Sequence, residues 1–373
     1  MHFACYDCGK KYGLDTREIT CECGGLFRAS LERETPPELI AAPAERSIWR
    51  YHLPARREIY LGEGWTPLLQ QDFLGHQVYL KLDYLFPTGS FKDRGAAVLV
   101  NRLLEMGVGR VVEDSSGNAG AAIAAYCAAA GISCTIVVPE DTSAGKIKQI
   151  KAYGAEIALA EGGRPGASSL VRQLAGEEGI YYASHIYNPF FYEGTGTLAF
   201  EVWEQLADNA PDYLVIPAGN GTMLLGAYYG FLQLQRLGLI REVPRLVAVQ
   251  EAGCTPLLGA AREGCEGDKH QPEKQMPGGV NGATAELVSE GISIPNPPRL
   301  WEMATAVDST GGWVEVVTGS SVQRWQRKLA FQGFYVEATA AAAAAALEQV
   351  IDKGLLKRGQ KWVLPLTGSG LKK

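Results

Sequence analysis

One lysine is set apart in "PTGSFKDRGA", residues 87–96: Lys92 follows a Pro-Thr-Gly turn and precedes an apolar helical stretch. An amine there is either a solvated charge in a first helical turn or a nucleophile held in a pocket, able to form a Schiff base with a carbonyl. Three other turns weigh on that choice. In "YLVIPAGNGTML" a strand signal ends at Ala218, and Gly219, Asn220 and Gly221 lead into a helix from Thr222 and Met223. Glycines at such a junction let successive N–H groups converge on an anion, and the helix end adds its positive pole. The loop lacks both the lysine of a P-loop and the spacing of a dinucleotide fingerprint, so it suits a phosphate better than a nucleotide. In "VVEDSSGNAG", Ser115, Ser116, Gly117, Asn118 and Ala119 occupy a second strand-to-helix junction. Its hydroxyls can cap the helix, or the same geometry can seat a carboxylate, while Asn118 offers both a donor and an acceptor. Thr367 closes the last strand signal, "KWVLPLTG", at the end where open α/β sheets bind ligands. His185 in "ASHIYNPFF" reads either as a hydrogen-bonded structural residue or as a proton carrier lining the pocket.

A separate cluster sits at the N-terminus. Cys5 and Cys8 in "CYDC", then Cys21 and Cys23 in "CECGG", resemble a zinc ribbon, with one residue rather than two inside the second pair. Four protein ligands would make such a zinc structural; the alternative is a metal-free appendage. Cys127, Cys134, Cys254 and Cys265 are scattered and read as packing thiols.

Strand and helix signals alternate along the chain in a way that would position these turns. The stretches "VYLKLDYL" (78–85), "RVVEDSS" (110–116), "SCTIVVP", "AEIALAE", "YLVIPA" and "RLVAVQ" read as strands. Between them lie helical stretches such as "RGAAVLVNRLLEMG", "NAGAAIAAYCAAAG" and "SAGKIKQIKAYG". Such alternation, punctuated by glycine, implies crossover units and parallel sheets covered on both faces. The Ala-rich run from Ala338 reads as a buried or half-buried helix.

The chain has 373 residues, 46% hydrophobic and 20% charged, enough for two α/β domains and a small appendage. A net charge of −6 without a basic block speaks against nucleic-acid or anionic-membrane partners. The start of the chain turns polar at once and no apolar run is long enough to span a bilayer, so a cytoplasmic protein with reduced thiols is expected.

Taken in order, Lys92 within "SFKDRG", the "SSGN" turn, the "AGNGT" loop and the terminal "TGSG" resemble the fold-type II pyridoxal-phosphate enzymes. The resemblance runs from about Gly62 to Lys372, and the ribbon and "FKDRG" are similar to the threonine synthase branch. It implies a tryptophan synthase β-like fold: two doubly wound parallel-sheet domains with the cofactor between them. The expected division is 1–30 for the zinc-ribbon-like appendage and 31–60 for a linker arm. The smaller domain would cover 94–210, and the larger cofactor-binding domain 61–93 plus 211–373. A homodimer is also implied. Lys92 would carry pyridoxal 5'-phosphate and move protons, with Phe91 packed nearby. Asn118 would hold the ring's 3' oxygen, Gly219 to Met223 the phosphate, and Thr367 the ring nitrogen, which favours elimination and replacement over transamination. Ser115, Ser116, Gly117, Ala119 and His185 would face the amino-acid substrate, and Glu337 resembles a residue beside the ring.

The expected reaction is of threonine synthase type, O-phosphohomoserine to threonine or a related conversion. In "NPFFYEGTGT", Phe191 and Gly196 stand where that branch commonly has an arginine and a lysine. Lys146, Lys148 and Arg94 are the cations that could replace them. A serine or threonine dehydratase, or a β-replacement synthase using serine or O-phosphoserine, is the alternative reaction. A catalytically inactive relative that binds a ligand or partner is the alternative of another class.

Overall fold

The computed structural model describes residues 1–31, 42, 44–263 and 287–372; Cys265 and much of the first half of the expected linker arm lie outside them. The chain divides into two compact units. The first holds residues 1–65 and 86–197 with the end of the chain, and the second holds 66–85 and 198–371.

In the first unit the N-terminal segment forms a small antiparallel ribbon, β1 (Phe3–Ala4) with β2 (Lys11–Tyr12). Its aromatic side chains make its core, Phe3 stacking on Phe27 and Tyr12 meeting Phe27 edge-on. The rest of the unit is a parallel four-stranded sheet in the order β7 (Glu156–Ala160), β6 (Ser133–Pro139), β5 (Arg110–Glu113), β8 (Ile180–Tyr182). Helices α1 (Lys92–Glu105), α2 (Asn118–Ala130), α3 (Ala144–Ala152) and α4 (Gly163–Ala175) alternate with the strands, and α5 (Pro189–Gln205) begins in this unit. Val112, Val137, Ala160, Val171 and Tyr182 form part of the core on which α4 packs. Helix α2 is apolar on nearly every face because it is buried almost throughout. Gly131, at φ +67°, stops it.

The second unit contains a six-stranded sheet in the order β11 (Trp313–Val317), β10 (Arg245–Glu251), β9 (Tyr213–Pro217), β12 (Trp362–Pro365), β4 (His76–Lys81), β3 (Leu68–Phe73). All neighbours are parallel except the β3–β4 hairpin. The strand expected over 78–85 is therefore shifted: β4 ends at Lys81 and Asp83–Leu85 turn into a short 3-10 helix. Lys81 explains the end, since its buried ammonium is held by the Thr66 carbonyl, Glu201 and Gln205. Likewise "RVVEDSS" stays extended only to Glu113. Helices α6 (Thr222–Arg236), α7 (Pro256–Glu263), α8 (Leu300–Ser309), α9 (Gly319–Phe331) and α10 (Ala338–Asp352) complete the unit. Helix α10 is the Ala-rich run, and Ala340 to Ala346 have no exposed surface. Small side chains let this helix lie close on β9, β10, β11 and β12 at once.

Candidate active site

Lys92 is the first residue of α1, two positions earlier than the helical pattern suggests. The turn before it closes through the Gly89 N–H, which donates to the Phe86 carbonyl at 2.8 Å, with Gly89 at φ +81°. Asp93 then ties turn to helix: its carboxylate accepts the Thr88 N–H at 2.7 Å and the Thr88 hydroxyl. Burial pushes that carboxyl up to about 7 against the pull of these two donors. The Lys92 ammonium lies 4.8 Å from the Phe91 ring centre and 5.6 Å from that of Phe191. Phe191 is fully buried and packs so close to Gly95 that any side chain there would collide with its ring.

Around this lysine the first unit gathers His185 and a residue that sequence reading missed. His185, nearly fully buried, approaches Phe191 edge-on at 6.0 Å, and its Nδ1 lies 2.5 Å from Glu113 Oε1. Glu113 had no motif to reveal it, because it reads as one more residue of a strand. Of the three cations that could offset Phe191 and Gly196, Arg94 is buried, its guanidinium over the Phe86 ring at 4.8 Å and bonded to Thr197 Oγ1 at 2.9 Å. The side chain of Lys146 lies outside the described residues.

At the second turn, Gly117 is the N-cap of α2 and no side chain caps the helix, which removes the reading of Ser116 as a cap. Ser115 Oγ instead accepts the Gly117 N–H at 3.4 Å. Gly117 is exposed with open space around it, and Ser115, Ser116 and Asn118 are half-exposed while Ala119 is buried. An uncapped helix start with small, accessible residues is fit to receive an anionic group.

In the second unit the Gly219–Met223 turn is closed rather than open. A Cβ at Gly219 would come within 2.5 Å of the Gly291 carbonyl. Gly221, the N-cap of α6, sits at φ +80°, where a Cβ would also meet Met303. Only glycine allows this backbone, and it aims the first N–H groups of α6 along one direction. Thr367, two residues past β12, has its hydroxyl oxygen buried with no hydrogen-bond partner among the described residues. A buried hydroxyl left unmade costs stability, and the Ser90 and Ser289 hydroxyls share that condition with Thr367. Beside it, Glu337 donates its N–H to the Gly368 carbonyl at 3.0 Å, and its carboxylate occupies the space a Gly368 side chain would need.

Residues 59–368 match the family of pyridoxal-phosphate-dependent enzymes. The chain belongs to that family. It is a pyridoxal-phosphate-dependent lyase, threonine synthase-like over nearly its whole length. It is 34% identical to a threonine synthase of Methanocaldococcus jannaschii over 99% of this chain and 92% of that one. A threonine synthase of Methanosarcina acetivorans is also 34% identical, over 100% and 92%. Among solved structures, a hydrogen sulfide-producing enzyme from Fusobacterium nucleatum superimposes with a TM-score of 0.67 at 22% identity, covering 83% of this chain and 95% of that one. The processed threonine deaminase isoform 2 of Solanum lycopersicum gives 0.67 at 20%, covering 82% and 79%. These two show the α/β fold. The residues present fit pyridoxal 5'-phosphate: an amine, a glycine cradle at a helix start, and an orphaned hydroxyl.

The ribbon cysteines also meet. Sγ atoms of Cys5, Cys8, Cys21 and Cys23 all lie within 4.8 Å of one another, with pairs at 3.6, 3.6 and 3.5 Å. Zinc with four thiolates at its usual bond length requires sulfurs about 3.8 Å apart, and these three pairs are near that spacing despite the short second pair. The Tyr12 hydroxyl donates to Cys21 Sγ at 3.2 Å and holds that thiol down, to about 6. Gly25 makes room, since a Cβ there would press on Asp7 and lie 2.9 Å from Cys5 Sγ. No helix among the described residues is long and apolar enough to cross a membrane.

Proposed function

We propose that this enzyme carries out the threonine synthase reaction, releasing phosphate from O-phosphohomoserine and adding water to give threonine. The observation that carries this reading is the 34% identity to threonine synthases over the whole chain, ribbon included. When bound, the cofactor supplies the electron sink that makes the substrate's Cα–H acidic. Lys92 holds the cofactor and moves protons at Cα and beyond. Gly219, Asn220, Gly221, Thr222 and Met223 bind its phosphate, Asn118 its 3' oxygen and Thr367 its ring nitrogen. Ser115, Ser116, Gly117 and Ala119 orient the substrate carboxylate at the start of α2, and His185 faces the same space.

Incubation with phosphohomoserine should release phosphate and threonine in equal amounts; neither product would sink this reading. A second reading is favoured by Phe191 and Gly196, which remove two positive charges from α5. Charge-assisted contacts are worth roughly 1.5–3 kcal/mol each, so a neutral substrate gains relative to a dianion. On that reading serine or threonine is dehydrated, or serine undergoes β-replacement; O-phosphoserine, itself a phosphate dianion, is the β-replacement substrate that gains nothing from the lost charges. A 2-oxo acid with ammonia from threonine would support it.

The four cysteines are assigned a structural zinc. One equivalent of zinc in the purified protein, lost in Cys21→Ser together with several degrees of thermal stability, is the expected result; full stability without metal would refute it. The enzyme is assigned to the cytoplasm as a homodimer, which a light-scattering mass near twice 40.2 kDa checks.

A further inference from the structure

Strand β5 ends on Glu113, whose carboxylate has no exposed surface. One oxygen is 2.5 Å from His185 Nδ1, and the other, Oε2, is buried without a hydrogen-bond partner among the described residues. A purely structural link would be served by a neutral amide, which carries no ionisable burden into the core. A carboxylate with one oxygen unmet is an expensive choice unless its proton is used. Lys92 is close enough for its charge to act on both members of the pair, and Phe191 packs against Lys92 and His185 together.

We propose that Glu113 and His185 share one proton beside Lys92 and form a positioning pair that sets the proton affinity of that lysine. Burial drives the pair to be neutral: the Glu113 carboxyl is pushed up to about 8, and His185 is held well below the usual imidazole range. Near neutral pH the two therefore carry one proton and no net charge. A positive charge on Lys92 favours loss of that proton, and a neutral Lys92 favours its retention. By reciprocity, an ionised Glu113 makes Lys92 a stronger base, and a protonated one makes it weaker. Protonation of Lys92 and protonation of the pair thus oppose each other.

Other groups act on the pair as well. Asp114, pushed up to about 6 by burial, accepts from the Tyr182 hydroxyl at 2.5 Å; its charge raises the affinity of His185, which Arg164 lowers. The Cys127 thiol feels Glu113 from α2.

The inference rests on Lys92 being the cofactor lysine, so two measurements separate the claims. In full-length protein freed of cofactor, the His185 ring carbon is followed by NMR against pH, assigned by His185→Asn among five histidines. In Lys92→Ala its midpoint should rise by about one unit, a tenfold change in proton affinity; an unmoved midpoint overturns the coupling. In holoenzyme, the pH midpoint of the cofactor's visible absorbance is read. Glu113→Gln should move it about one unit toward lower pH. His185→Asn should move it less, and should add nothing in the Glu113→Gln background. Midpoints that stay put while thermal stability falls would mean a structural pair only. If wild type shows no visible band, the assignment of Lys92 fails, and the cofactor-free titration still decides the pair.

Discussion

Two strand-to-helix turns of this enzyme have the same architecture and opposite characters. At Ser115–Asn118 the backbone is partly exposed, Gly117 has open space on its side-chain face, and the helix start is uncapped. At Gly219–Thr222 both glycines are buried, and neither has room for a single carbon. The first turn suits a group that arrives and leaves at every turnover. The second suits one that stays. The same crossover thus ends in one turn open to solvent and one closed by the packing behind its glycines.

The largest effect expected is at Lys92. Lys92→Ala should abolish the visible band and lower turnover by about 10²–10⁴-fold or more; a band that persists would place the cofactor elsewhere. Next comes the closed turn. Gly219→Ala forces its Cβ toward the Gly291 carbonyl, a backbone atom that cannot swing aside. Losing one or two charge-assisted N–H contacts to a phosphate should weaken cofactor binding by about 10–100-fold, measured by fluorescence titration with pyridoxal phosphate. The open turn should respond differently: Ser116→Ala should raise KM for the amino acid by about 2–10-fold and leave cofactor affinity unchanged. Equal losses of cofactor affinity in the two variants would erase the contrast drawn between the turns.

A separate effect concerns stability against pH. The Glu113 carboxyl is raised from 4.5 to about 8 in the folded protein. The native state therefore keeps a proton that the unfolded chain releases, and its contribution to stability is present below pH 4.5 and declines as pH rises toward 8. Glu113→Gln lacks this proton. The stability of wild type minus that of the variant should fall across this window by at most about 1.4 kcal/mol per pH unit, read by urea unfolding; a flat difference would mean that Glu113 is ionised in the fold. His185, kept neutral, acts in the opposite sense below about pH 6.5 in both proteins.

The parts that were legible in the sequence are those where backbone geometry restricts residue type. Gly89, Gly219 and Gly221 announce turns, and the backbone there has positive φ or no room for a Cβ; the roles proposed for Lys92, Asn118 and Thr367 follow from the resemblance of the ordered motifs, not from spacing. Side chains that act through distant partners were not legible. Glu113 and His185 are 72 positions apart, and only the pairing of β5 with β8 brings their strand ends together. Helix α5 was also hidden, because "NPFFYEGTGTLAF" mixes aromatics with two glycines. Gly194 shows why a glycine is needed there, since its missing side chain lets α5 approach the Arg94 carbonyl. The second cysteine pair has one intervening residue rather than two, yet with the turns at Gly9 and Gly24, both at positive φ, all four sulfurs lie within 4.8 Å of one another.

The alanine run of α10 has a consequence beyond close packing. Alanine has no rotamers to freeze, so seven consecutive buried residues join the core at almost no loss of side-chain entropy. For the same reason they have no alternative rotamers to visit afterward. Helix α10 lies against β9 and β12, the strands that lead to Gly219 and Thr367. The strand ends before Gly219 and Thr367 thus rest on a helix face with no side-chain rotamers to rearrange.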